Sequence, residues 1–290
     1  MSVRIGDNSV KIYRSHAKIN IGLRIAGKRP DGYHNLESIF QEISLYDEIS
    51  FRKTEKELLV TCDHPDVPLD EKNLCMRTFG LISQKYSLQG GVEIGIRKKI
   101  PPGAGLGGGS SNAATCLKAF NDLFGLNLSR SEMLVLASRI GSDVPFFIIG
   151  KTALVLGRGE VVIPVSLNLK YRLLIVFPNI AVPTPAIFKN LALGLTDYKR
   201  NVKFEAVISM LTELEHLNRY FYNDLEPVAC RMVPEIQDIL NQLRSAGATY
   251  ASMSGSGSAV YGMFEPSVNL EKIARRFPSG YSLFQAKPVQ

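Results

Sequence analysis

Residues 101–114 read Pro-Pro-Gly-Ala-Gly-Leu-Gly-Gly-Gly-Ser-Ser-Asn-Ala-Ala. Apart from two prolines and one leucine, every residue in this stretch is Gly, Ala, Ser or Asn, with a small side chain and no charge. Glycine permits positive φ and lets a ligand approach the backbone closely, and successive exposed amides form a concave anion site. The stretch therefore predicts a loop whose backbone binds phosphate.

The flanking sequence predicts a strand before this loop and a helix after it. Val92 to Ile96 alternate in the period of a strand, and residues 113–124 place apolar side chains at helical spacing before Gly125. The helix would add its unpaired N-terminal amides and the positive end of its dipole to the phosphate site. A flexible linker is the alternative, but Gly-rich linkers rarely join two patterned elements directly.

Two common nucleotide-binding motifs fit the loop poorly. Gly103, Gly105 and Gly108 match G-x-G-x-x-G, but two prolines separate them from the strand and no acidic residue follows about 20 positions on. A P-loop ends in Gly-Lys-Ser/Thr, whereas this loop ends in Gly109-Ser-Ser without lysine. The loop is a phosphate site of another kind.

Composition limits the function classes. A chain of 290 residues predicts about two domains, and its net charge of +7 is compatible with a polyphosphate ligand, a nucleic acid or plain solubility. The four cysteines form no C-x-x-C pair, which predicts no metal site and reduced thiols. Without an apolar signal segment or an apolar run of roughly 18 residues, we expect a cytoplasmic protein with no membrane partner.

The sequence places Lys18 and Asp143 at the edges of predicted elements. Alternation from Ile19 to Ile25 predicts a half-buried strand that places Lys18 and Asn20 on the face opposite the isoleucines, and a turn at residues 30–32 reverses it. A capping box at Ser129 opens a helix that stops at Gly141, so Asp143 follows in a loop beside the apolar residues 146–148. A solvated lysine and a helix-capping acid are the simpler interpretations of the pair.

The pattern restarts beyond residue 159. It predicts a strand at residues 173–177, a short helix capped by Thr184, helices at 204–217 and 235–246, and strands near 250 and at 259–264 around the small-residue loop Ser252-Met-Ser-Gly-Ser-Gly-Ser258. We place the domain boundary at about residues 157–170, with domains at 1–162 and 163–290.

Three motifs together carry a family resemblance. The Gly-rich loop, Ala17-Lys-Ile-Asn20 and the loop 252–258 resemble, in order and spacing, the motifs of the GHMP kinases, which act on galactose, homoserine, mevalonate and phosphomevalonate. The resemblance implies an α+β fold of two domains: an N-terminal domain like a ribosomal protein domain that carries the ATP loop, and a ferredoxin-like C-terminal domain, with the active site in the cleft between them.

Further stretches resemble one branch of these kinases. Residues 29–34 (Arg-Pro-Asp-Gly-Tyr-His), 141–147 and 182–188 are similar to the bacterial enzymes that phosphorylate the 2-hydroxyl of methylerythritol attached to cytidine diphosphate, in the non-mevalonate isoprenoid pathway. Ser142 departs from the alanine common before the aspartate, and Pro102 is unusual ahead of the loop. This branch implies ATP as phosphate donor, Mg²⁺, a small-molecule acceptor, no nucleic acid, and a monomer or weak homodimer.

The resemblance also assigns roles to residues. Lys18 stabilises the transferring phosphoryl group and Asp143 acts as base. Substrate-binding residues are Asn20, Tyr33, His34, Thr184 and Phe188, with Tyr33 and Phe188 suited to sandwich a cytosine. ATP-binding residues are Lys98, Pro101, Pro102, Gly103, Ala104, Gly105, Leu106, Gly107, Gly108, Gly109, Ser110 and Ser111.

Two other functions remain open from the sequence. A GHMP kinase for another small alcohol, such as mevalonate or a sugar, would share the phosphate chemistry but not require cytidine. A nucleic-acid-binding module would account for the net charge, although the sequence has no clustered basic face with interleaved aromatic residues.

Overall fold

The structure is a computed structural model and describes residues 9–191, 204, 208, 211 and 214–290. The first half of the chain builds a mixed sheet covered by helices. Its strands are β1 (Lys11–Lys28), β2 (His34–Thr54), β3 (Leu58–Cys62), β4 (Gly91–Arg97), β5 (Thr152–Gly157) and β6 (Val161–Pro164). Its helices are α1 (Leu74–Tyr86), α2 (Gly108–Leu123), α3 (Arg130–Ile140) and α4 (Val144–Ile149).

A long hairpin organises this sheet. β1 and β2 pair in antiparallel fashion from Lys28↔His34 to Lys11↔Phe51, around the predicted turn. The opposite edge of β2 pairs with β5 near its start and with β4 near its end, and β3 joins β4 in parallel. Because β4 runs directly toward the Gly-rich loop and α2 follows that loop, the predicted strand–loop–helix order is confirmed.

The middle of β1 is buried on both faces, unlike the predicted half-buried strand. Ile19 and Ile21 pack in one core with residues of the second sheet, such as Ile175 and Tyr261. The opposite face lies under the Gly-rich loop and the helices, so Lys18 and Asn20 are buried as well. Period-two alternation reports which side chains share a face, but not whether a second layer covers the polar one.

The second half forms a four-stranded antiparallel sheet in the order β10-β7-β9-β8, from β7 (Arg172–Phe177), β8 (Tyr250–Met253), β9 (Val260–Phe264) and β10 (Ser282–Ala286). Its helices are α5 (Thr184–Leu191), α6 (Leu214–Tyr220), α7 (Glu226–Met232), α8 (Glu235–Ser245) and α9 (Leu270–Ala274). Helices between β7 and β8, a direct β8–β9 connection and α9 before β10 give the β-α-β-β-α-β order of ferredoxin-like domains. Most of the predicted helix 204–217 lies outside the described residues.

The local features around Ser129, Asp143 and Thr184 agree with the sequence pattern in part. The capping box is present, because Ser129 and Glu132 bond each other's backbone amides. The predicted loop after α3 is shorter than expected, because helix α4, which contains the apolar residues 146–148, begins at Val144 directly after Asp143. Thr184 is the first residue of α5 rather than the residue preceding it. In the part of the chain that the structure describes, no helix is long and apolar enough to span a membrane.

Candidate active site

A cavity of about 1070 Å³ lies between the two halves of the molecule. The Gly-rich loop, β1, the turn after it, α5 and the loop after β8 all contribute to its wall. The structure brings almost all predicted site residues to this cavity: Lys18, Asn20, Tyr33, His34, Lys98, residues 101–110, Asp143, Thr184 and Phe188.

The Gly-rich loop presents backbone to the cavity. Gly103, Gly105 and Gly107 have positive φ, and Gly107 precedes the first residue of α2 without any side-chain cap. The first amides of a helix have no partner within it, so those of α2 are available to an anion at this end. At Gly105 a Cβ would lie 2.1 Å from the carbonyl oxygen of Ser254, so the close packing of the two loops excludes any side chain there.

Of the two predicted serines, the structure brings one to the cavity. Ser110 lines it, whereas Ser111 is buried behind the loop and its hydroxyl accepts a hydrogen bond of 2.7 Å from Ser15. The reason is helical geometry, since consecutive residues on a helix point about 100° apart. The ATP-binding role that the resemblance implies for Ser111 does not fit the placement of its side chain.

Lys18 is anchored by three elements. Its ammonium donates to Asn20 Oδ1 at 2.6 Å and to the carbonyl oxygen of Gly105 at 2.9 Å, and it lies 4.8 Å from the ring centroid of Phe40. Its side chain is only 4% exposed, which rejects the interpretation as a solvated lysine. Burial lowers the pKa of Lys18 below the ordinary lysine value, and the negative charge of Asp143 opposes that shift.

Asp143 faces Lys18 without bonding it closely. Its Oδ2 lies 3.8 Å from the Lys18 ammonium, and its side chain is 31% exposed toward the cavity. Among the described residues, none donates a hydrogen bond to this carboxylate, so the interpretation as a capping acid is not supported. A Cβ at Gly159 would lie 3.3 Å from Asp143 Oδ1, so glycine leaves the second oxygen open.

Lys98 lines the cavity, but its charge is already paired. Its ammonium lies 2.5 Å from Oδ2 of Asp47 and 3.4 Å from Oδ1 of Asn112. Asp47 Oδ1 accepts the amides of Lys99 and Ile100 at 2.8 and 2.9 Å, and its Oδ2 also accepts from Asn112 at 2.9 Å. This network fixes the segment that leads into the Gly-rich loop to the first turns of α2.

The predicted acceptor residues gather at another end of the cavity. His34 and Phe188 stack on each other, with ring centroids 5.0 Å apart and an interplanar angle of 24°. The guanidinium of Arg158 lies 5.0 Å from the centroid of the Tyr33 ring. The predicted sandwich of a cytosine by Tyr33 and Phe188 stays a prediction. Burial and the nearby Lys28 lower the pKa of His34, which favours its neutral form.

Two predicted substrate residues also bond protein groups. Thr184 Oγ1 lies 2.7 Å from the hydroxyl of Ser256, so α5 is tied to the loop after β8. Asn20 Oδ1 accepts a hydrogen bond from the Lys18 ammonium, and Asn20 Nδ2 donates a hydrogen bond to the hydroxyl of Ser38 at 2.9 Å. Asn20 therefore holds the lysine in place, in addition to lining the cavity.

Sequence reasoning missed several residues of the site. Arg158 lines the cavity. In the sequence it stands between Gly157 and Gly159, and these two glycines are the only local indication of its role. Asp47 interrupts the apolar alternation of β2, a pattern typical of a buried polar contact. Gly255 and Ser256 also line the cavity; the resemblance implies that their loop closes the cleft, but it does not single out these two residues.

A two-domain α+β fold with an amide-lined loop and a lysine–aspartate pair in its cleft is the architecture of a small-molecule kinase. The family descriptions "GHMP kinases N terminal domain" and "GHMP kinases C terminal" match residues 73–151 and 204–283. The chain belongs to the GHMP kinase family and is an ATP-dependent kinase.

The similar proteins are more specific. The 4-diphosphocytidyl-2-C-methyl-D-erythritol kinase of Prosthecochloris aestuarii is 37% identical over 94% of both chains. The protein of the same name from Chlorobium chlorochromatii is 37% identical over 92% of this chain and 93% of its own. A crystal structure of 4-(cytidine 5'-diphospho)-2C-methyl-D-erythritol kinase superposes with a TM-score of 0.81 and 31% identity, covering 97% of this chain and all of the other.

Proposed function

We propose that this protein transfers the γ-phosphoryl group of ATP to the 2-hydroxyl of 4-diphosphocytidyl-2-C-methyl-D-erythritol, in the non-mevalonate route to isoprenoid precursors. The names of the relatives support the substrate, and they match this chain over nearly its full length. The observation that carries the chemistry is the open Lys18–Asp143 pair beside the Gly-rich loop.

In the proposed mechanism, the amides of the Gly-rich loop and of the start of α2 hold the donor phosphates. The oxygen of the acceptor hydroxyl forms a bond to the γ-phosphorus of ATP, and Asp143 accepts the proton of that hydroxyl. The bond between the γ-phosphorus and the oxygen that bridges it to the β-phosphorus breaks, and ADP leaves. Lys18 stabilises the charge on the transferring group. Its spacing of 3.8 Å from Asp143 leaves the carboxylate free to bond a substrate hydroxyl.

Magnesium is part of the proposal, since kinases of this kind use it with ATP. No group of three or more His, Cys, Asp and Glu side chains converges within the described ranges. Mg²⁺ often keeps several waters and binds through one or two carboxylates plus substrate phosphates. Asp143 and the Ser110 hydroxyl, both at the cavity, fit that sparse donor set, and the ion would neutralise phosphate charge there.

The residues at the acceptor end of the cavity suit an acceptor that carries a nucleoside diphosphate better than a bare alcohol. Its aromatic side chains, Tyr33, His34 and Phe188, offer flat surfaces to a base, and a neutral imidazole has one donor and one acceptor for a base edge. Arg158 and Lys189 add positive charge to the same cavity wall. A small alcohol such as mevalonate would leave this aromatic and cationic surface uncovered.

The first test is ADP release with ATP and Mg²⁺ against CDP-methylerythritol, free methylerythritol and mevalonate in parallel. We expect turnover with the cytidylated compound alone. Turnover with mevalonate would keep the kinase chemistry and overturn the substrate, and a salt-sensitive affinity for nucleic acid without any turnover would favour the non-catalytic alternative.

Phe188→Ala tests the base pocket separately. Aromatic stacking on a base contributes about 1–3 kcal/mol, so the variant should raise KM for CDP-methylerythritol about tenfold. KM for ATP should stay at its wild-type value, which provides the internal control in the same steady-state assay. A rise in KM for ATP instead would place Phe188 at the end of the cavity that binds ATP.

A further inference from the structure

Residues 222–224, which precede α7, lie alongside the strand that carries Lys18. The amide of Leu23 donates to the carbonyl oxygen of Tyr222 at 2.8 Å, and the amide of Asp224 donates back to Leu23 at 2.8 Å. The amide of Ile25 donates to Asp224 Oδ2, also at 2.8 Å. This short parallel bridge fastens the C-terminal half of the chain to β1.

The side chain of Asn223 extends from this bridge to the loop after β8. Its Nδ2 donates to the carbonyl oxygens of Met253 and Gly255 at 2.9 and 2.8 Å, and its Oδ1 accepts the amide of Leu225 at 2.9 Å. Asn223 is 4% exposed and does not line the cavity. Both amide hydrogens are therefore used to orient one loop.

The loop at residues 253–255 lies against the ammonium of Lys18 and its two acceptors. A Cβ at Gly255, which has φ of +58°, would lie 3.3 Å from Lys18 Nζ. The hydroxyl of Ser254 donates to the carbonyl oxygen of Gly105 at 3.0 Å and lies 3.4 Å from Asn20 Oδ1. These two oxygens are also the acceptors of the Lys18 ammonium.

We propose that Asn223 is a positioning residue for phosphoryl transfer: it fixes the loop at residues 253–255, and through that loop it fixes the two acceptors that aim Lys18 at the transferring group. The proposal rests on the function proposed above. Because Asn223 does not line the cavity, its loss should act on the rate of the chemical step and leave the affinity for both substrates intact.

Asn223→Asp is the direct test. The substitution keeps the shape but replaces an amide that donates twice by a carboxylate oxygen facing two carbonyl oxygens, so the loop must move. A displacement of about 1 Å at a reacting group can lower the rate about 100-fold, and we expect a fall in kcat of that order. KM for ATP and for CDP-methylerythritol should change by less than about threefold.

Asn218→Asp is the matched control. Asn218 lies on α6, and its Nδ2 likewise donates to a backbone carbonyl, that of Thr249 at 2.7 Å, but at the opposite end of β8. The side chain is exposed, so the same change of amide to carboxylate meets solvent there. We expect kcat for this variant within about twofold of wild type, since it stands outside the chain of contacts to Lys18.

A second comparison separates positioning from a merely structural role. If Asn223 acts through Lys18, Asn223→Asp should cause no further loss of kcat in a Lys18→Ala background, because residues that act as a unit are not additive. An equal fold-loss in both backgrounds would overturn the proposal. Should Asn223→Asp fail to fold, Asn223→Ser, which keeps one donor, enters the same comparison with an expected loss of about tenfold.

The reference is wild-type turnover with whichever of the three acceptors supports it. Wild-type turnover with mevalonate alone would refute the proposed substrate and leave the Asn223 comparison intact with that alcohol. Wild-type kcat in a folded Asn223→Asp variant would refute the positioning role and leave the proposed function intact.

Discussion

Two lysine–aspartate pairs have their lysines at the same cavity, and the pairs differ in spacing, exposure and hydrogen bonding. Lys98 Nζ lies 2.5 Å from Asp47 Oδ2, and the Asp47 side chain is fully buried. The two carboxylate oxygens of Asp47 together accept four hydrogen bonds. Lys18 and Asp143 are 3.8 Å apart, and Asp143 is partly exposed to the cavity. The saturated pair holds the backbone that enters the Gly-rich loop, whereas the open pair leaves a carboxylate available to a substrate hydroxyl.

The largest expected effect comes from breaking the open pair at its acid. Asp143→Asn retains the size of the side chain but removes the proposed base, and general-base catalysis contributes about 10²–10⁴-fold. We expect kcat to fall about 1000-fold while the unfolding midpoint in urea falls only slightly, because the carboxylate is partly exposed, lies 3.8 Å from the Lys18 ammonium, and leaves that ammonium its hydrogen bonds to Asn20 and Gly105. Steady-state kinetics and urea unfolding of the same preparation measure both quantities.

Near-normal turnover in a folded Asp143→Asn variant would remove the carboxylate from the mechanism. The Lys18–Asp143 pair would then have no role in proton transfer, and Asp143 would be a solvated side chain near a buried lysine. Asp143→Glu adds a methylene group and serves as the partner variant, since it keeps the base and changes only its position.

The features that the sequence could predict are local ones. The Gly-rich loop, the capping box and the order of strands and helices depend on neighbouring residues, so local patterns indicated them. Lys18 and Asp143 were singled out by motif resemblance. Their burial and spacing arise from layers formed by distant segments: the loop around Gly105 covers Lys18, and Phe40 lies beneath it.

Other site residues gave no adequate local signal. Asp47 bonds residues about 50 positions away, and Asn223 bonds a loop about 30 positions further on. The contact between Phe188 and His34 could not be derived either, because it depends on how α5 sits against the turn at residues 30–34. Such contacts are set by tertiary packing rather than by propensity or period.

The second prediction breaks the saturated pair. Asp47→Asn places an amide donor against Lys98 and Asn112 and leaves a buried ammonium without its carboxylate, a change that typically costs about 3–5 kcal/mol. We expect the free energy of unfolding to fall by about 3 kcal/mol, and kcat of the folded enzyme to stay within about threefold of wild type. Urea unfolding and kinetics at a permissive temperature test this.

Asp122→Asn is the matched control for that variant, because Asp122 pairs with Lys11 at 2.9 Å on an exposed surface. Exposed pairs contribute little to stability, so its unfolding midpoint should not move measurably. If instead Asp47→Asn lowered kcat as much as Asp143→Asn with no loss of stability, the assignment of one pair to structure and the other to chemistry would be reversed.

The smallest expected effect concerns the protonation of Lys18. Burial lowers the pKa of this lysine in the folded enzyme, so kcat/KM for ATP should decline on the alkaline side below the ordinary lysine range. The cost of burying the charged form is present below the folded pKa and disappears as pH rises toward the unfolded value, so stability from this group increases across that window. Lys18→Arg should move the alkaline limb upward by at least about one pH unit, since arginine stays protonated. An unchanged limb in this variant would assign the titration to a group other than Lys18, and the open pair would then act through the aspartate alone.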